Sequence, residues 1–202
     1  MKRNVMLGLL ATLAIAACDD DGTGVEGDAM TQAEATALAS AIALSSEDAT
    51  AEGLAEVTQS GGEGAGTITF TQTTTHPCPL GGEAAVELNA TVDYDEQAQS
   101  FELDADGSLT HDDCSFEHQG ETFTVDGDPG LSIEAHAAAE GGEPVGDWTS
   151  SVVGAFLWSA DDGRDGRCVI DLSTITDFAA TNRTVAGAVC GHTIQQTIDW
   201  NQ

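Results

Sequence analysis

Between residues 84 and 94 every second residue is apolar: Ala84, Val86, Leu88, Ala90, Val92 and Tyr94. A period of two puts all six side chains on one face of an extended strand and leaves Glu87, Asn89, Thr91 and Asp93 on the other, the pattern of a strand with one face in a core and one in water. A helix would scatter these residues around its circumference. The alternation recurs at Ile68 and Phe70, at Phe101, Leu103 and Ala105, at Phe123 and Val125, at Leu131, Ile133 and Ala135, and at Cys168, Ile170 and Leu172. Trp148 to Trp158 reads as a long strand, apolar on both faces near Val152-Val153 and Phe156-Leu157, and the segment from Thr184 to Trp200 carries Val185, Val189, Ile194 and Ile198. Turn signals fall at Asp95-Glu96-Gln97, Asp126-Gly127, Gly141-Gly142, the loop from Asp161 to Gly166, and Thr181-Asn182. About nine strands without interleaved helices predict an all-β domain over 67–202, an antiparallel meander closing as a barrel or folding as a sandwich. The strands lack the aromatic girdles of an outer-membrane barrel.

Ahead of this domain the period changes. Thr31 with Glu34 forms a capping-box signature, and the Ala-rich stretch 32–46, with Leu38 and Ile42 four apart, predicts one short N-terminal helix. Its small apolar face predicts a helix at the domain edge or loosely ordered. Residues 31–66 thus read as a helical segment followed by the Gly-rich linker Gly61-Gly62-Glu63-Gly64-Ala65-Gly66. Residues 18–30 are Asp-, Gly- and Glu-rich and read as a flexible tether.

The first residues specify an address. Lys2 and Arg3 precede the apolar run Val5 to Ala14, which closes on Ile15-Ala16-Ala17-Cys18. A basic start, a short apolar run and small residues at the cut make residues 1–17 a secretory signal peptide. The run is too short for a spanning helix, which needs about 20 residues. The segment resembles the lipobox of bacterial lipoproteins. That resemblance, confined to residues 1–18, implies cleavage between Ala17 and Cys18, lipidation of Cys18, and a protein held on the bacterial cell envelope through its lipid, on the periplasmic or the cell-surface side. Several acyl chains give lasting attachment at about 0.8 kcal/mol per buried methylene. Asp19-Asp20-Asp21 resembles an inner-membrane retention signal of enterobacterial lipoproteins, a surface-export signal of other groups, or a solvated tether.

The chain carries 35 acidic and five basic residues, a formal net charge of −30. All acids lie beyond the signal, where the basic residues are Arg164, Arg167 and Arg183 alone. Such a surface repels nucleic acid, so no nucleic-acid partner is expected, and it attracts cations. Four cysteines remain besides Cys18, an even number that in an exported chain reads as disulfides. Of the three possible pairings, order along the chain favours Cys78–Cys114 and Cys168–Cys190, because the midpoint of the first pair falls at the predicted turn at 95–97 and that of the second, near Phe178-Ala179-Ala180, just before the turn signal at Thr181-Asn182, so that each bridge ties the open end of a hairpin.

Two constellations carry candidate chemistry. His76 precedes Cys78, and His111 and His118 flank Cys114, so a Cys78–Cys114 pair would bring three imidazoles together, a set suited to zinc or copper. The run Glu102-x-Asp104-x-Asp106-Gly107, with Asp113 at its twelfth position, resembles an EF-hand calcium loop, with Glu in place of the first Asp and Asp in place of the last Glu. The alternative is a β-hairpin turning at Asp106-Gly107. Arg164 and Arg167 read as a solvated hairpin tip. Neither a nucleophile elbow nor a zinc-protease helix is present, and carboxylates are too numerous for any pair to stand out as acid and base. The sequence predicts no enzyme and no cofactor. It predicts a non-catalytic envelope lipoprotein with a structural or binding role. The first alternative is a carrier of a small apolar ligand lined by Trp148, Phe156 and Trp158; the second is a calcium-, zinc- or copper-binding protein using His76, His111, His118, Asp104 and Asp106.

Overall fold

A computed structural model describes residues 26–42 and 65–199. The signal peptide, Cys18 and the predicted Gly-rich linker before residue 65 lie outside the described residues, as does the predicted end of the helix at 43–46. The described chain is all-β with one short helix, and its strands form a single antiparallel sheet. In chain order they are β1 (Glu26–Gly27), helix α1 (residues 32–42), β2 (Ala65–Pro77), β3 (Glu83–Asp95), β4 (Ser100–Asp112), β5 (Cys114–His118), β6 (Glu121–Glu140), β7 (Glu143–Pro144), β8 (Trp148–Ala160), β9 (Asp165–Asp177), β10 (Asn182–Val189) and β11 (His192–Asp199). The sheet order is β11-β10-β9-β8-β6-β4-β3-β2, with β1 added to β9 and with β5 and β7 added to β6.

The period-two pattern becomes continuous cross-strand rows. Val86, Leu109, Leu131, Gly154, Ile170, Val189 and His192 are successive partners across seven strands, and Leu88, Gly107, Ile133, Val152, Leu172, Gly187 and Ile194 form the next row on the same face. These rows are the floor of the main core, and α1 lies on them. Ala35, Leu38, Ala39 and Ile42 are at most 2 % exposed. The helix is therefore central, not the edge element its small apolar face predicts. Alanines at 35 and 39 let its backbone approach the sheet closely, so small residues here deepen the contact.

The cap at the helix start is the predicted box. The Thr31 amide donates to Glu34 Oε2 at 2.6 Å, and the Glu34 amide donates to Thr31 Oγ1 at 3.3 Å. One flank of α1 is tied to β11, where Gln32 Nε2 donates to the Thr193 carbonyl at 2.9 Å and Ser40 Oγ donates to Gln196 Oε1 at 3.0 Å. Its other flank faces β2, β3 and β4: Leu38, Ala41 and Ile42 line one pocket with His76, Ala84 and His111. Flat, eight strands would span about 34 Å between first and last, far wider than a helix about 10 Å across. The sheet is therefore curled, and α1 fills the seam between its margins. Among the described residues β2 and β11 do not pair, so the antiparallel meander expected from sequence stands as one curled sheet.

Glycines permit the curl. A Cβ on Gly107 would sit 2.0 Å from the Glu87 carbonyl oxygen, and one on Gly187, at φ +143°, would sit 2.0 Å from that of Asp171. At these two points neighbouring backbones close to a distance no side chain allows. Asp106-Gly107 therefore lies inside β4, and neither the predicted hairpin turn nor an EF-hand loop exists there. Asp126-Gly127 is likewise inside β6, where the register with β8 shifts between Gly127 and Gly130. The hairpin turn falls instead at Gln119-Gly120, both at positive φ (55° and 87°), as two-residue turns require.

Both predicted disulfides are formed, Cys78–Cys114 and Cys168–Cys190. The first ties the β2–β3 turn to the start of β5, and the second closes the open end of the β9–β10 hairpin. A second, smaller core lies farther along the inner face, where Ala90, Val92, Leu103, Ala105 and Ala137 are buried beneath half-buried Ile68, Phe70, Tyr94, Phe101 and Trp148.

Candidate functional site

Residues that share a strand face in the sequence separate in the fold according to parity. On β4 the odd-numbered residues from 103 to 111 face the core and the even-numbered ones face away. Asp104 and Asp106 therefore stand on the outer face and His111 on the inner one, so the five predicted metal ligands divide between two places.

On the inner side, His76, Ala84 and His111 are successive partners across β2, β3 and β4. The alanine between the two imidazoles leaves a pocket of about 400 Å³, lined also by Phe116 and the Cys78–Cys114 bridge. His111 is 8 % exposed, and its Nδ1 has no hydrogen-bond partner among the described residues. Burial pushes its pKa down to about 4, against a partial upward pull from the Asp126 carboxylate. The ring is neutral at neutral pH. His118 sits at the far end of β5 opposite Glu121. Both cysteines that might have joined this set are consumed in their own bridge, and His76, His111 and His118 do not meet at one point.

On the outer face, three metal-capable side chains do converge. Glu102, Asp104 and His136 offer one ligand atom each, all within 4.8 Å of one another; this is the one such cluster among the described residues. His136 is directly opposite Asp104 in the β4–β6 register, and its Nδ1 lies 3.0 Å from Asp104 Oδ1. Glu102 is two residues along the same face of β4. The cluster borders a shallow groove of about 800 Å³, whose lining includes Asn89, Asp104, Asp106, Glu134, His136 and Ser151 beside Ala135 and Ile175. Two carboxylates and an imidazole make a mixed oxygen and nitrogen set that suits zinc or copper better than calcium. Asp106 belongs to the adjacent row with Glu134 and adds negative charge beside the cluster.

His136 is the residue that sequence reasoning missed. Nothing in its flanking sequence, Ile133-Glu134-Ala135-His136, marks it, and only the register of β4 against β6 brings it to Asp104.

The predicted liners of an apolar-ligand cavity do not share one. Phe156 and Trp158 are 0 % and 3 % exposed in the main core, and Phe123 packs against Trp158 with ring centroids 6.3 Å apart. Trp148 belongs to the second core, where its Nε1 donates to the Ala138 carbonyl at 3.0 Å and its ring meets Phe101 and Phe178 edge-on.

Arg164, expected at a solvated tip, is instead the hub of an ion-pair cluster. Its guanidinium reaches Glu34 at 3.0 Å, Glu121 at 2.6 Å and Asp162 at 2.6 Å, and it lies 5.8 Å from the Trp158 ring centre. These hydrogen bonds raise its already high pKa. Burial pushes the Glu34 carboxyl up, but the bonds from Arg164 and Thr31 outweigh it and leave the group below its ordinary value. The cluster joins the first turn of α1 to the β5–β6 turn and the β8–β9 loop, so it serves the fold and leaves no cation there for an external anion. No protein-family model, curated protein or solved structure matches the chain.

Proposed function

We propose that this protein is a non-catalytic lipoprotein of the bacterial cell envelope, attached to its membrane through lipidated Cys18 and presenting a disulfide-stapled β-domain as a binding module. The observation that carries this reading is the bridging of Cys78 to Cys114 and Cys168 to Cys190. Bridges of this kind persist in oxidising compartments, and they account for four of the five cysteines, leaving Cys18 for the chemistry its lipobox implies. The membrane is its partner through the lipid. Nucleic acid is not a partner of a surface with 35 carboxylates and a net charge of −30.

Labelled palmitate and detergent phase partition test the reading. The wild-type chain is expected to carry label and enter the detergent phase, and Cys18→Ser to lose both, with globomycin leaving the signal peptide attached. Recovery of unlabelled, unprocessed wild-type chain from the cytosol overturns the proposal.

A second reading, metal binding, is favoured by the convergence of Glu102, Asp104 and His136. Zinc titration by calorimetry is expected to show one site per chain that His136→Ala abolishes. Identical weak heats from both proteins would reduce it to general attraction by an acidic surface. A carrier role for an apolar ligand has less support, because two of its three proposed liners are solid core.

A further inference from the structure

Between α1 and strands β2, β3 and β4 lies the pocket of about 400 Å³ beside the Cys78–Cys114 bridge. Every residue of its lining is among those described, and α1 is itself one wall, so this is the space that remains once the helix is seated. Leu38, Ile42, Ala84 and Val125 are its buried apolar walls, each at most 3 % exposed. Exposed Ala41 and Pro79 stand at its rim. Packed interiors hold few voids larger than a water molecule, and small-molecule sites fall in the range of about 300–1,000 Å³. Set among the apolar walls is one side chain that is both polar and nine-tenths buried, His111, whose Nδ1 has no hydrogen-bond partner among the described residues. An unmet hydrogen bond and an unfilled space lie side by side.

We propose that this pocket binds a compact neutral molecule with an apolar body and one hydroxyl group, held by a hydrogen bond between that hydroxyl and the His111 imidazole. The volume sets the size of the body. A dry apolar cavity of about 150 Å³ takes up benzene, so about 400 Å³ accommodates a body the size of two fused rings. The imidazole sets the polar group. A neutral ring carries one N–H and one lone pair, and a hydroxyl answers either, accepting from the first or donating to the second. Charged ligands are disfavoured, because the lining contains no carboxylate, lysine or arginine to pair with them and apolar walls strip their hydration. An anion must also approach a chain of net charge −30. Water alone needs about two to four polar partners, which the walls of Leu38, Ile42, Ala84 and Val125 do not supply. Cys78 and Cys114 share a bridge and offer no thiolate to a metal. The site is separate from Trp148, Phe156 and Trp158, and it stands or falls independently of the lipid at Cys18.

1-Naphthol and 1-methylnaphthalene have nearly the same shape and differ by the hydroxyl. Equilibrium dialysis of each against the full-length chain, with the same detergent in both compartments, tests the site. The wild type is expected to bind one equivalent of 1-naphthol and to hold it about tenfold more tightly than 1-methylnaphthalene, the effect of one neutral hydrogen bond. His111→Phe is expected to lose that preference and to keep its affinity for 1-methylnaphthalene. Ala41→Trp, at an exposed helix position on the rim, is expected to block both compounds at an unchanged melting temperature. No saturable binding to the wild type, equal wild-type affinity for the two compounds, or binding that survives Ala41→Trp in a folded protein would each overturn the proposal.

Discussion

Acid is expected to weaken this fold through one imidazole. His111 hangs from β4 on the core side, 8 % exposed, and burial holds its pKa near 4 where an unperturbed ring titrates at 6.5. In the unfolded chain the ring regains its ordinary value. Between those two pH values the unfolded state binds a proton that the folded state refuses, so the contribution is complete above the unfolded pKa and is lost as pH falls towards the folded one. At 1.36 kcal/mol per pH unit the full effect is ~3 kcal/mol, and about 2 kcal/mol of it is lost by a pH of about 4.5. Carboxylates titrate in the lower part of the same window, so the informative quantity is a difference between proteins. His111→Phe keeps a ring in the pocket and removes a buried Nδ1 that has no hydrogen-bond partner among the described residues, a change expected to be neutral or mildly stabilising at neutral pH. Urea unfolding of both proteins across the range is expected to show the wild type falling behind the variant by about 2 kcal/mol. Parallel curves would refute the claim that this imidazole is buried neutral.

Three further outcomes follow from the packing. Leu38→Ala should cost about 3 kcal/mol by urea unfolding, as a large-to-small change in a packed core does; a helix loosely held at the domain edge would lose well under 1 kcal/mol. Arg164→Met leaves Glu34, Glu121 and Asp162 facing one another and should cost about 2 kcal/mol at neutral pH. Because the folded-state pKa of Glu34 is depressed, that deficit is present above its ordinary pKa and should shrink as pH falls through and below it, which the same urea series reads. Gly107→Ala drives a methyl group into the Glu87 carbonyl and should cost about 3 kcal/mol or prevent accumulation of folded protein, as thermal melts or the yield of folded protein would show.

The legible parts of this fold were those decided locally. Six alternating apolar residues from Ala84 to Tyr94 fixed β3 and its buried face, and Thr31 with Glu34 fixed the start of the helix. Turns at 95–97 and 178–182 placed the cysteines of each bridge at matching ends of a hairpin. What misled were the Asp-Gly pairs. At 106–107 and 126–127 the glycine answers to a neighbouring strand, through close backbone approach in one case and a shift of register in the other, and neither demand is visible along the chain. Gln119-Gly120 and Cys190-Gly191 are the turns that form, with weaker local signals. The outer-face cluster was half legible: Asp104 stood out among alternating acids, but its partner His136 lies on another strand, and pairing those strands depends on the turn at 119–120. The helix was misjudged because small apolar residues look weak by area, whereas Ala35 and Ala39 act by letting two backbones come close.

The two ends of the described chain meet in the core. Met30 Sδ lies 3.7 Å from Cys190 Sγ, and His192 Nε2 donates to the Met30 carbonyl at 2.6 Å, contacts spanning some 160 residues of sequence. The helix that seals the seam is thus made early and can be seated only when β10 and β11 exist. A chain emerging in order from its amino terminus cannot finish this core until almost all of it has been delivered, and loop closure over such a separation is slow. The architecture thereby holds back completion of the core and releases it once the last hairpin arrives.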